Sequence, residues 1–160
     1  FLSGALTVDP YVNPVDEMLA SQIVWLDAFV TNVDRTVKNT NMLVWHGETW
    51  LIDHGAALYF HHSWRDWEKA AMSPFSYIKD HALLRKASRI EDADKLLRQK
   101  ITPRTLEKIV GLIPDEWLEW DGVDETPEQL RDVYRRFLTT RLKHSDIFVK
   151  EAVNARKSLI

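Results

Sequence analysis

The chain has no cysteine, and that absence removes disulfide frameworks, thiolate metal sites and cysteine nucleophiles together. It also lacks any apolar run near the roughly 18 residues a membrane-spanning helix needs, and no signal-peptide pattern opens it. A surplus of one charge is missing too. With a formal net charge of -3 and no dominant Lys/Arg stripe, direct nucleic-acid binding is not expected. The absences are compatible with a reducing cytoplasm, the expected location, with no membrane attachment. The five glycines, at positions 4, 47, 55, 111 and 122, are scattered. Nothing reads as a Gly-x-Gly-x-x-Gly loop that would cradle phosphates.

What is present is ordinary globular composition. At 160 residues, 45% hydrophobic and 28% charged, the chain suits one domain, 1–160, with a real core. The first residue is Phe1, so the expectation is a piece of a longer chain. The densest basic run, Arg131 to Lys143, alternates with apolar residues and reads as a solvated helix face.

Several helix starts can be read with a mechanism. Asn13-Pro14, Thr102-Pro103 and Thr126-Pro127 each place a capping side chain before a proline at the first helical position. Gln129 completes a capping box with Thr126. Ser63 to Met72 forms a further candidate. Apolar residues at helical spacing follow: Leu19, Ile23, Leu26 and Val30; Leu106, Ile109, Val110 and Ile113; Leu130, Val133, Tyr134, Phe137 and Leu138. A last helix is expected from Ser145. The clear strands are Met42–Trp45 and Trp50–Ile52, joined across His46-Gly47-Glu48-Thr49 as a β-hairpin. Asp121 to Glu125 reads as an acidic loop. The fold class is therefore mainly α with one small hairpin.

One segment carries chemistry. The first helix is expected to end near Thr31 to Val33, leaving Asp34-Arg35-Thr36-Val37-Lys38-Asn39 in a polar loop before the hairpin. Leu51-Ile52-Asp53-His54-Gly55 closes the second strand. Phosphoryl transfer to a hydroxyl needs a carboxylate to receive the hydroxyl proton and two oxygen ligands for Mg²⁺ on the nucleotide phosphates. Asp-x4-Asn, a hairpin, then Asp-x-Gly supplies that set in that order, and pairing of the strands would bring Asn39 and Asp53 to one open end. Singly, each residue reads more readily as a turn former.

This pattern resembles the catalytic loop and Asp-Phe-Gly element of protein-kinase-like folds. The wording Asn32-Val33-Asp34-Arg35, Lys38-Asn39 and Leu51-Ile52-Asp53-His54-Gly55 is most similar to HipA-like kinases. Type II phosphatidylinositol 4-kinases share a related pattern. The resemblance is sharp over residues 15 to 62 and architectural beyond. It implies the helical C-lobe of a kinase-like fold. It also implies Mg²⁺- and ATP-dependent transfer to a hydroxyl, with a protein Ser/Thr side chain as the expected acceptor. Carried over by position, Asp34 matches the catalytic aspartate, and Asn39 and Asp53 match the metal ligands. Lys38 would offset phosphate charge, and Arg35 would brace the loop through the Asp34 backbone or a neighbouring carboxylate.

The departures are Asn32 where ordinary protein kinases have histidine, His54 in place of phenylalanine, and no N-terminal strand bearing a phosphate-binding lysine. The nucleotide-clamping N-lobe is thus read as absent, and the fragment alone as inactive. Two other readings fit the same motif. One is a non-catalytic, kinase-derived interaction module with an antitoxin-like protein partner; the other is a small-molecule or lipid kinase. His61-His62 invites a metal-hydrolase reading, but adjacent histidines point apart and no helical His-x3-His pair accompanies them. The seven tryptophans are read as packing groups, with Trp45 and Trp50 paired across the hairpin, Trp64 and Trp67 on one short helix, and Trp117 and Trp120 on another.

Overall fold

The computed structural model describes residues 2–62, 64–119 and 124–160. Ser63, Trp120 and 121–123 of the acidic loop lie outside the described residues. The order of elements is β1 (Leu6–Thr7), α1 (Glu17–Phe29), β2 (Met42–Trp45), β3 (Glu48–Leu51), α2 (Trp67–Ala71), α3 (Ile90–Lys100), α4 (Pro103–Val110), α5 (Pro127–Lys143) and α6 (Ser145–Lys157). Short 3-10 turns cover Tyr59–His62, Ser76–Asp80 and Asp115–Trp117.

The hairpin forms because its turn accepts the backbone it needs. β2 and β3 pair antiparallel, with Met42 opposite Leu51 and Trp45 opposite Glu48. Only His46 and Gly47 link them, both at positive φ (51° and 79°), the twist that suits a two-residue hairpin turn. Glu48 and Thr49 therefore belong to the strand rather than the connection. Trp45 and Trp50 meet edge to face at 5.7 Å. β1 adds a third strand on the far side of β2, Leu6 opposite Val44. Two residues are too few to show an alternating pattern in sequence.

α1 is the axis of the core. Its N-cap is Asp16, whose carboxylate accepts from the Met18 and Leu19 amides at 2.9 and 3.0 Å. Asn13 instead accepts from the Asp9 amide at 2.7 Å, so the expected start was three residues early. From Ala20 to Phe29 the helix is buried on most sides, including Ser21 and Asp27. The spacing Leu19–Ile23–Leu26–Val30 marks the helix without defining its buried side: Ile23 is buried while Leu19 is exposed. A helix enclosed all round has no single apolar stripe to read. Trp25, fully buried, stacks on Phe29 at 5.0 Å and meets Phe148 of α6 edge-on at 5.5 Å. Its indole N–H donates to Asp94 of α3 at 2.8 Å.

The later caps behave as read. Thr102 accepts from the Thr105 amide, and Thr126 and Gln129 form the reciprocal capping box. α3 was not singled out in the sequence, because Arg89 at its start makes no side-chain cap. α2 covers only Trp67–Ala71, less than the expected Ser63 to Met72. Trp64 precedes it with φ 55°; Trp67 packs instead under the Arg136 guanidinium, 4.7 Å from its ring.

α5 corrects the reading of the basic run. Arg136 faces Asp132, while Arg131 and Arg135 form ion pairs with Asp115, Glu107 and Glu128. Arg141, however, is buried. Its guanidinium donates to the carbonyls of Ala28 and Phe29 at the end of α1, and of Ala70, Ala71 and Ser73 around the end of α2. Apart from that of Ala70, which also accepts from the Ser73 amide at 3.1 Å, these carbonyls have no backbone donor among the described residues, and the dipoles of both helix ends favour a cation there. Burial pulls the Arg141 pKa down to about 10, so the group stays charged at neutral pH. Arg141→Met should strand these carbonyls and cost on the order of 3 kcal/mol, read as a lower urea midpoint at an unchanged m-value.

Candidate functional site

The polar loop between α1 and β2 is anchored from beneath by one carboxylate. Asp27, in the last turn of α1, has a fully buried side chain. One carboxylate oxygen accepts from Arg35 Nε at 2.6 Å and His81 Nε2 at 2.9 Å, and the other accepts from Asn32 Nδ2 at 3.0 Å. The Leu83 amide donates to His81 Nδ1 at 3.0 Å, which leaves the ring proton on Nε2, facing Asp27. Burial alone would push the Asp27 carboxyl up. The His81 hydrogen bond, together with the charge and hydrogen bond of Arg35, outweighs it and holds the group below its ordinary 3.8.

Arg35 carries that anchorage into the loop. Its Nη1 donates to the Asn41 carbonyl and, at 3.4 Å, to that of Thr40; its Nη2 lies 3.2 Å from His54 Nε2. Its own carbonyl accepts from Ala82 at 3.0 Å. Of the two bracing roles expected for Arg35, the neighbouring carboxylate is the one found.

Above this base, Asp34, Asn39 and Asn41 form a cluster. Asp34 Oδ2 accepts from Asn39 Nδ2 at 2.8 Å and from Asn41 Nδ2 at 3.0 Å. The loop turns tightly, with the Thr36 amide on the Asn39 carbonyl at 2.9 Å and the Asn39 amide on the Thr36 carbonyl at 3.2 Å. The Asp34 amide donates to Asn32 Oδ1 at 3.1 Å, so Asn32 links Asp34 to Asp27. Because Asn39 gives its amide hydrogens to Asp34, its carbonyl oxygen is the atom left for another partner.

Asp53 reaches the same end of the hairpin through backbone pairing. The Ile52 amide donates to the Asn41 carbonyl at 3.0 Å, and the Val33 amide to the Ala56 carbonyl at 3.4 Å. Between these two tethers, residues 53–55 must run beside the loop. Asp53 is exposed with φ 50°, and its Oδ1 lies 3.4 Å from the Gly55 amide. An aspartate tolerates that left-handed backbone better than most side chains. Asn39 and Asp53 are thus two hard oxygen donors on one open end, a set that suits Mg²⁺, which keeps several waters and substrate oxygens. Lys38 is exposed and, with Asn39 and Ile52, borders an open cavity of about 450 Å³.

Three contributors were not named from sequence. Asp27 had a signal, a carboxylate inside the apolar run Val24-Trp25-Leu26-Asp27-Ala28-Phe29. Asn41 had a weaker one, since asparagine suits its φ of 46°. His81 had none, because it is 54 residues from Asp27. His61 and His62 lie on the other side of His54. There His61 Nδ1 is 3.2 Å from the Tyr134 hydroxyl, and burial lowers the His61 pKa and raises that of Tyr134 to about 12.

A helical domain whose one small sheet presents an Asp-x4-Asn loop and a following Asp-x-Gly is of the kinase-like class. The family described as HipA-like kinase matches residues 4–148, and the chain belongs to that family. The match extends well past the residues that carried the resemblance. No curated protein and no solved structure matches the chain. No helix among the described residues is long and apolar enough to cross a membrane.

Asp27→Asn should loosen the loop and cost about 3 kcal/mol at pH 7, as for one partner removed from a buried ion pair. The sign with pH follows from the lowered pKa: the stabilisation is present above about pH 4 and lost as pH falls below it. Urea titrations at pH 7 and pH 3 should show a smaller acid loss in Asp27→Asn than in the wild type. An equal loss would contradict the assignment.

Proposed function

We propose that this domain carries the acceptor-side half of a phosphoryl-transfer site, moving a phosphoryl group from ATP to a hydroxyl. A protein Ser/Thr is the favoured acceptor. The observation that supports this most is the gathering of Asp34, Asn39 and Asp53 at one end of the hairpin, over a loop fixed by Arg35 and the buried Asp27.

Asp34 is the base of the reaction. Asn39 and Asn41 hydrogen-bond one of its oxygens, which fixes the carboxylate's orientation while the other oxygen receives the acceptor's proton as the hydroxyl oxygen attacks. Asn39 and Asp53 would hold Mg²⁺ on the nucleotide. When bound, the cation neutralises charge on the β- and γ-phosphates. Lys38, at the rim of the 450 Å³ cavity, adds a positive charge on the same side. The domain's contribution is positioning more than covalent chemistry. The site reads as the C-lobe portion of a kinase-like fold.

Two substitutions in the full-length protein test the roles separately. Asp34→Ala should lower transfer by about 10²- to 10⁴-fold while Mg²⁺–ATP binding, measured calorimetrically, survives; near-wild-type turnover would remove Asp34 from the chemistry. Asp53→Asn should weaken nucleotide binding only when Mg²⁺ is present. An unchanged Mg²⁺ dependence would remove Asp53 from the metal site.

A further inference from the structure

On the other side of Lys38 from the 450 Å³ cavity, a second open groove of about 570 Å³ runs along the loop edge Thr36–Lys38. The segment Lys79 to Lys86 and residues Pro10 and Tyr11 form its other walls. Four cations line it, Lys38, Lys79, Arg85 and Lys86, against one carboxylate, Asp80. The local balance is therefore 4 − 1 = +3, in a chain whose net charge is -3. Among the described residues none of these four cations joins an ion pair. Arg85 donates to the Leu159 carbonyl at 2.7 Å and Lys86 to the Asn13 carbonyl at 2.9 Å, both neutral groups. By contrast, Arg89, Arg131, Arg135 and Arg136 all face carboxylates. The groove's charge is uncompensated within the fold.

Its apolar surface is equally exposed. Tyr11 is 72% and Val37 49% accessible, and both line the groove. A site for a small ligand would enclose most of that ligand; this one is open along its length, with an apolar floor and a cationic rim. That shape and charge fit an extended chain bearing carboxylates.

We infer that this groove binds the acceptor as a polypeptide segment with acidic residues flanking the target Ser or Thr. The inference rests on the phosphoryl-transfer reading and adds to it the substrate class. The loop edge Thr36–Lys38 lies within the same turn as Asp34 and Asn39, so a segment lying in the groove would bring a hydroxyl toward the Asp34 carboxylate. Phosphates would approach from the Asn39 and Ile52 side, in the adjoining cavity that shares Val37 and Lys38 with the groove.

The test is equilibrium binding by the full chain, without nucleotide, of two fluorescein-labelled peptides. Both carry one central Ser and a Leu, one with Asp/Glu and the other with Lys/Arg on either side. The acidic peptide should bind about tenfold or more tightly at low salt, with the gap narrowing at high salt. Lys79→Glu should remove most of the gap. Lys108→Glu, the same charge change on exposed α4, should leave it intact. Equal affinity for the two peptides, or equal effects of the two substitutions, would overturn the inference. So would binding of inorganic polyphosphate as tightly as the acidic peptide, which would mark a general anion patch. Catalysis plays no part in this readout, so a negative result would leave the transfer reading to its own nucleotide and turnover tests.

Discussion

The contact between Asp27 and Arg35 is the one on which the arrangement of the site depends. An arginine and an aspartate, each with a fully buried side chain, meet at 2.6 Å beneath a loop that has no regular secondary structure of its own. Burying two charges is costly unless their remaining hydrogen-bonding capacity is filled. Here it is filled by the loop and by two histidines from later in the chain: Asn32 and His81 on the carboxylate, and Thr40, Asn41 and His54 on the guanidinium. Three of the groups that make the ion pair tolerable, Asn32, Thr40 and Asn41, belong to the chain on either side of Asp34 and Asn39. Order in the loop and solvation of the buried pair are therefore one requirement.

A second buried cation does similar work for the framework. Among the described residues Arg141 pairs with no carboxylate, and it is solvated by carbonyls from the ends of two helices. It joins α5 to the end of α1, two residues from Asp27. The lower face of the loop and the C-terminal helices are thus connected through polar groups inside an otherwise aromatic core, where Phe137, Phe148 and Phe29 surround the guanidinium.

Much of the candidate site's geometry was legible in the sequence, because its residues are close along the chain. Asp34, Asn39 and Asp53 lie on either side of a hairpin whose turn residues announce themselves, and strand pairing does the rest. The supports were harder to read. Asp27 and His81 act from 54 residues apart, and spacing along a chain carries no trace of such a contact. Helix starts with a threonine and a proline were placed correctly. α1 was misplaced at its start because Asn13 had a local amide to bind, and its buried side could not be read because burial on nearly every side erases the periodic signal. Arg141 looked like one more surface cation for the same reason: its acceptors are backbone carbonyls, which every sequence has.

Trp25 and Asp27 sit two positions apart on α1, about 200° around the helix. One looks into the aromatic core and α3, the other into the loop. The indole bond to Asp94 therefore fixes the azimuth at which the carboxylate is presented. A shift of one residue in that packing would turn Asp27 by about 100°, away from Arg35. The placement of the loop is inherited from how a tryptophan is seated on the far side of the same helix.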